Sequence, residues 1–159
     1  MTNPFFKNFG PHTIDKILES CQIKNINQYK NDKILNQLEY RELNADTKYN
    51  MDLSLLTEKN APSKSHLFIN AIKKFNFEDF SESNLNFNLQ TSSNDTYLKT
   101  YKIDSPIIST PSFLTSSLDF NAYKDDFSFD SSVIVFEDLN KKNNDRYEVI
   151  YPTFNVNKD

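Results

Sequence analysis

Few residues in this chain are of types that commonly do chemistry. It has two histidines, His12 and His66, and one cysteine, Cys21, and their spacing matches no metal-binding motif. Asp125-Asp126 and Glu137-Asp138 are adjacent pairs, and neighbours on a strand point to opposite faces. We therefore predict no bound metal, no cofactor and no catalytic residue.

Glycine is almost absent, because Gly10 is the single one in the sequence. A Walker loop, a dinucleotide-binding fingerprint and a serine nucleophile elbow all need several glycines, so these sites are excluded. A serine nucleophile would in addition need one of the two histidines as its base. Tight turns with positive φ must fall to Asn and Asp, which tolerate that conformation best after Gly.

One group of side chains has the chemistry to bind a nucleobase. Phe68 and Phe75 could stack on the ring, and Asn70 between them could bond to the base edge. The alternative is that both rings belong to the core and that Asn70 caps a helix. Both interpretations stay open from the residues alone.

Three segments show helical spacing. Ile14, Ile17, Leu18 and Cys21 form one apolar stripe after the capping residue Thr13. Residues 70–80, with Phe68, Ile72 and Phe75 on one side, predict a second helix. Thr110-Pro111 predicts the start of a third, whose stripe is Phe113, Leu114, Ser117, Leu118 and Phe120.

Short runs between these segments predict strands. Leu85, Phe87 and Leu89 alternate with asparagines, and short apolar runs occur at residues 66–68, 106–109 and 133–136. Residues 147–151 alternate again and could pair with 133–136 as a hairpin. We predict an α+β fold: one domain with a small mixed sheet and about three helices. Residues 1–125 would form its body and 126–159 a C-terminal extension with two short strands.

Charge and hydropathy limit the partners. The chain has 159 residues, a net charge of −4 and a mean hydropathy of −0.67. Its two arginines form no basic cluster, so duplex nucleic acid is not an expected partner. The single cysteine is typical of a reducing compartment, and we find no secretory signal and no apolar run of membrane-spanning length. These features predict a cytoplasmic protein.

Several stretches resemble, in the same order, the N-terminal domain of the UDP-3-O-acylglucosamine N-acyltransferases of lipid A synthesis. Asn3-Pro-Phe-Phe-Lys-Asn-Phe-Gly-Pro-His-Thr-Ile resembles the aromatic lead-in of that family. Residues 56–75, with Phe68, Asn70 and Phe75, are similar to its uridine-binding signature. Pro106-Ile-Ile-Ser-Thr-Pro-Ser-Phe-Leu and Asp130-Ser-Ser-Val-Ile resemble later segments, the last at the entry to its hexapeptide-repeat domain.

The resemblance implies a binding function rather than catalysis. In that family the signature side chains hold the uracil ring of a UDP-sugar, which assigns substrate binding to Phe68, Asn70 and Phe75. The hexapeptide-repeat domain that carries acyl transfer is not visible in this sequence. We therefore expect a UDP-sugar-binding module that is not catalytic alone. The alternative is a non-enzymatic interaction or structural protein without a small-molecule site, which would bury these rings and expose an apolar patch elsewhere.

Overall fold

The computed structural model describes residues 21–30 and 33–158, with the side chains of 33–142 and 145–158. Its main element is one eight-stranded antiparallel sheet in which each strand pairs with the next in the sequence. The strands are β1 (Cys21–Lys30), β2 (Lys33–Leu43), β3 (Thr47–Glu58), β4 (Ala61–Phe75), β5 (Glu82–Ser92), β6 (Phe113–Lys124), β7 (Phe127–Asp138) and β8 (Tyr147–Lys158). One four-residue helix, α1 (Tyr97–Thr100), and a 3-10 turn (Asn143–Arg146) complete the described elements.

The prediction of an α+β fold with about three helices is wrong. Residues 70–75 of the segment predicted as the second helix form the last part of β4, and 76–80 lie in the connection to β5. The segment predicted as the third helix forms most of β6. Residues 14–20 of the first helix lie outside the described residues, and Cys21 begins β1. The apolar run 106–109 is part of the β5–β6 connection (residues 93–112) rather than a strand.

Both wrong helices have a physical explanation. Apolar residues spaced three and four apart, as in a helix, can also fall partly at every second position, as in a strand. Whether neighbouring strands are present to pair with the segment decides which structure forms. In β6, Leu118, Phe120 and Ala122 alternate with Ser117, Asp119 and Asn121, and Ser, Thr and Asn are weak helix formers. In β4, the apolar run around Phe68 lies between β3 and β5, so both edges of the strand are hydrogen-bonded to neighbouring strands.

Other local predictions are confirmed. The alternation at Leu85–Leu89 lies in β5, and residues 134–136 pair with 148–150 across the β7–β8 hairpin. Asn60 (φ 63°) and Asp125 (φ 46°) occupy positive-φ turn positions, as expected in a chain short of glycine. Lys102 (φ 49°) does so as well, which the sequence did not indicate.

The β5–β6 connection packs on one side of the sheet, which we call the covered face. Its residues Tyr97, Leu98 and Ile103 are buried against apolar side chains of the sheet. The sheet contributes Leu35 from β2, Leu56 from β3, Phe68 from β4, and Leu114 and Leu139 near the ends of β6 and β7. The hydrophobic core of the described residues is therefore a small cluster beneath this connection.

The other side of the sheet, the open face, is apolar over most of its area. Directly paired residues share a face, so the register gives rows such as Tyr40–Met51–Ile69–Leu89 and Ala71–Phe87–Leu118–Val133. Its apolar members are Leu38, Tyr40, Tyr49, Met51, Leu53, Leu55, Leu67, Ile69, Ala71, Leu85, Phe87, Leu89, Leu118, Phe120, Phe129, Val133, Phe154 and Val156. None of these side chains is buried. On β6, Leu114 and Ala122 have the same alternation as Leu118 and Phe120 but are 0% and 2% exposed.

In the described part of the chain, β1 and β8 are the two edge strands, and β5 is interior. No helix among the described residues has the length and apolar character needed to cross a bilayer. The predicted division at residue 125 falls in the turn between β6 and β7, which pair along their whole length.

Candidate functional site

A buried polar cluster joins the covered face to α1. Ser54 Oγ lies 2.7 Å from His66 Nδ1 and 2.6 Å from the Tyr97 hydroxyl, and His66 Nε2 lies 3.1 Å from Asp52 Oδ1. Gln37 Nε2 donates to both oxygens of Asp52, at 3.1 and 3.2 Å. All of these side chains are buried.

Strand geometry brings these residues together. Asp52 and Ser54 are two residues apart on β3, and their partners across the β3–β4 pair are Phe68 and His66. Gln37 lies opposite Ser54 on β2. Alternation therefore places all five on the covered face, and Tyr97 closes the cluster from the connection above.

The cluster contains a Ser–His–Asp sequence of hydrogen bonds, but its two ring nitrogens are exchanged relative to the hydrolase triad, in which Nε2 faces the serine and Nδ1 faces the aspartate. A proton on His66 Nε2 satisfies every partner: Tyr97 donates to Ser54, Ser54 donates to Nδ1, and Nε2 donates to Asp52. A nucleophile must reach a substrate carbon, yet Ser54 is buried and its oxygen already lies between a ring nitrogen and a phenol. The arrangement is therefore suited to holding the connection on the sheet, not to acyl transfer.

The pKa shifts of Asp52 and Tyr97 agree with a cluster in which each polar side chain has a hydrogen-bond partner. Burial alone would raise the pKa of Asp52, but hydrogen bonds from His66, Ser105 and Gln37 bring it below its usual value, so the carboxylate stays charged. Burial raises the pKa of Tyr97, and its hydroxyl stays protonated at neutral pH. The His66 ring also stacks on Phe68, with centroids 4.3 Å apart.

A second polar contact fastens the connection at the neighbouring end of β3. The Tyr101 hydroxyl donates to Glu58, whose carboxylate also lies within 3.4 Å of Lys33 and Lys64. These contacts lower the pKa of Glu58, first through the Tyr101 hydrogen bond. The Lys33 and Lys64 ammonium groups also lie over the Tyr101 ring, at 5.6 and 5.7 Å from its centroid.

The three residues predicted to hold a nucleobase are not gathered in one place. Phe68 is 0% exposed beneath the connection. Asn70 lies two residues further along the covered face and is partly exposed. Phe75, at the end of β4, falls on the opposite face by alternation and stacks on Phe77, with centroids 5.5 Å apart.

Asn70 does contribute to an open pocket, which we call the cationic pocket. It has a volume of about 480 Å³. Its lining residues are Arg41, Lys48, Asn50, Asn70, Pro106 and Ile107. Two strands therefore supply two positive charges, β3 and β4 supply two amides, and the connection forms the apolar wall.

Sequence reasoning missed Asp52 and Ser54 and the two cations. The available signal was polar residues at every second position of an apolar segment: Asp52 and Ser54 precede Leu56, and His66 precedes Phe68. Such a pattern marks a strand face that buries polar groups. Arg41 and Lys48 had no local signal, because they converge through the β2–β3 pairing.

The described residues contain no group of three His, Cys, Asp or Glu side chains that could hold a metal ion.

Comparisons with known proteins identify no family. No protein-family model, no curated protein and no solved structure matches this chain.

Proposed function

We propose that this chain is a non-enzymatic interaction protein that associates with a second copy of itself through the open face. The observation that carries the proposal is the apolar surface on seven paired strands, β2–β8, whose apolar side chains other than Leu114 and Ala122 are at least partly exposed. Exposed apolar patches of this extent are typical of association surfaces rather than of free monomers.

The size of the face favours a second copy. Strands lie ~4.8 Å apart and rise ~3.4 Å per residue, so seven strands and about nine residues of each span on the order of 900 Å². A stable interface of standard size buries about 800 Å² on each partner. Two copies packed face to face would form a two-sheet sandwich, in which each apolar face covers the other.

The distribution of charge agrees with this arrangement. The net charge of −4 opposes self-association at long range. On the rows of the open face, however, charged residues stand at strand ends, among them Glu42, Lys73 and Lys124. The apolar centre can therefore be covered without burying an unpaired charge.

The test is the mass of the full chain in solution, with a matched pair of variants. Leu118 lies in the middle of the open face and is 43% exposed, whereas Leu43 is 66% exposed at the end of β2 and belongs to the covered face. We expect the wild-type chain and Leu43→Lys to sediment as dimers, and Leu118→Lys to sediment as a folded monomer. A wild-type monomer at concentrations of about 100 μM, or a Leu118→Lys dimer of unchanged stability, would refute the proposal.

Nucleotide-sugar binding remains the second candidate, and one observation favours it. Asn70, the predicted base-reading amide, lines a pocket with two cations that suit a diphosphate. Phe68 is buried, so it could stack on a base only if the β5–β6 connection moved, and Phe75 lies on the other face of the sheet, away from the pocket. Calorimetric titration with UDP-N-acetylglucosamine tests it: binding lost in Asn70→Ala supports it, and no heat at millimolar ligand rejects it.

A further inference from the structure

The cationic pocket carries an inference that does not depend on self-association. We propose that it binds a small, multiply charged anion of the phosphate class, with Arg41 and Lys48 as the charged contacts and Asn50 and Asn70 as neutral donors. The proposal concerns the anionic group alone and leaves open what is attached to it.

Strand pairing brings the two cations to one site. Arg41 pairs with Asn50 across β2 and β3, and Asn50 pairs with Asn70 across β3 and β4, so these three share one row of the covered face. Lys48 lies two residues before Asn50 and therefore in the next row of the same face. One guanidinium, one ammonium and two amides thus face the same space.

Among the described residues that line the pocket, none carries a carboxylate. The nearest acids by register are Glu39 and Asp52, which pair with each other in the next row of the covered face. Glu39 is buried, and its Oε2 lies 3.4 Å from Arg41 Nη2. That contact engages one guanidinium nitrogen and leaves the others for a ligand, because the guanidinium has five donors. Lys48 has no ion pair within the part of the chain whose side chains are described.

The negative charge of Asp52, further along the same face, is already engaged. Gln37, His66 and Ser105 hydrogen-bond its carboxylate, and the side chain is buried beneath the connection. The Asp52 carboxylate therefore does not occupy a hydrogen-bond donor of the pocket, and Arg41 and Lys48 are the charged residues that line it.

The pocket wall is held in place before any ligand arrives. Gln90 Nε2 donates to the carbonyl oxygen of Ile107 at 3.0 Å, and the Ile107 amide donates to Ser105 Oγ at 3.4 Å. Ser105 in turn bonds to Asp52 on the sheet. A site fixed in this way loses little conformational entropy on binding.

Size and chemistry select the ligand class. About 480 Å³ lies within the range of small-molecule sites and exceeds the volume of a phosphate or pyrophosphate. Arginine presents its donors in a fork that matches phosphate oxygens, and lysine adds a point charge. Amide N–H groups complete the shell without adding charge.

The experiment uses pyrophosphate and phosphate as probes on the full chain, with binding followed by NMR shifts of the Asn50 and Asn70 side-chain amides. We expect pyrophosphate to bind more tightly than phosphate and its affinity to fall as salt is raised. Arg41→Gln and Lys48→Gln should each weaken binding by roughly tenfold, as expected for a charged hydrogen bond. Lys59→Gln removes the same charge at an exposed turn outside the pocket and should leave the affinity unchanged.

Two results would overturn the anion site. One is the absence of amide shifts at about 10 mM pyrophosphate, a concentration that detects even weak binding. The other is an equal loss of affinity in Lys59→Gln and Lys48→Gln, which would mean that net charge alone attracts the probe. UDP that binds no more tightly than pyrophosphate would support the anion site and exclude recognition of the base.

Discussion

Replacement of Phe68 by alanine distinguishes a core residue from a ligand-stacking residue. The ring is 0% exposed, lies between the sheet and the β5–β6 connection, and stacks on His66. Its removal would leave a cavity in the small cluster that holds the connection on the sheet. A ring reserved for a ligand would instead be replaceable with little effect on folding.

The expected cost follows from complete burial. Large-to-small changes of a buried Phe cost about 3–5 kcal/mol. With a urea m-value of about 2 kcal/mol/M, a loss of about 4 kcal/mol lowers the midpoint of unfolding by roughly 2 M. That is a large part of the ~5–15 kcal/mol by which a typical domain is stable, so Phe68→Ala could be partly unfolded without denaturant.

The assay is urea denaturation followed by circular dichroism, at one fixed protein concentration because association would raise the apparent stability. Phe75→Ala is the matched control, since it removes the same ring from a partly exposed site on the other face. We expect the control to cost about 1 kcal/mol, or roughly 0.5 M in midpoint. If Phe68→Ala costs no more than Phe75→Ala, the packing of the connection on Phe68 is refuted.

Two substitutions and one labelling experiment test the polar cluster. Asp52→Asn should destabilise the chain at neutral pH. Because the folded-state pKa of Asp52 lies below 3.8, this loss of stability should shrink as pH falls below about 4 and the wild-type carboxylate loses its charge. Urea midpoints of both chains across that range check the prediction, and a loss of stability that does not change with pH contradicts it. Tyr97→Phe should cost about 1 kcal/mol by removing the hydrogen bond to Ser54. Because the folded-state pKa of Tyr97 is raised above 10.0, the contribution of its hydroxyl should be complete below about pH 10 and lost as pH rises through that raised pKa, which midpoints of both chains at alkaline pH would show. Ser54 should not react with a fluorophosphonate in the folded protein, and labelling of Ser54 found by peptide mass spectrometry would show that the cluster is accessible.

Local signals were sufficient for some elements. The alternation at Leu85–Leu89 and the β7–β8 hairpin were recognisable because a strand with one apolar face repeats every two residues. The scarcity of glycine indicated that Asn and Asp would take positive-φ turns, and Asn60 and Asp125 do so. These features depend on a few adjacent residues, so no partner strand is needed to predict them.

The candidate sites had much weaker local signals. Ser54 and His66 are separated by a turn and two half-strands, and Tyr97 enters from a connection beyond β5. Arg41 and Lys48 converge only when β2 and β3 pair in one register. A shift of one residue would send each side chain to the other face, so pairing rather than composition creates both sites.

The sequence by itself determined the limits of the chemistry: one glycine, two histidines and a mild negative charge exclude phosphate loops and do not favour a duplex nucleic-acid surface. It also determined which stretches are apolar. The tertiary structure decided that the apolar stretches of β4 and β6 are strands, that one face is covered and the other open, and that His66 bonds to Ser54 and Asp52. The physical reason is that a helix satisfies its backbone hydrogen bonds locally, whereas a strand needs neighbours that lie elsewhere in the sequence.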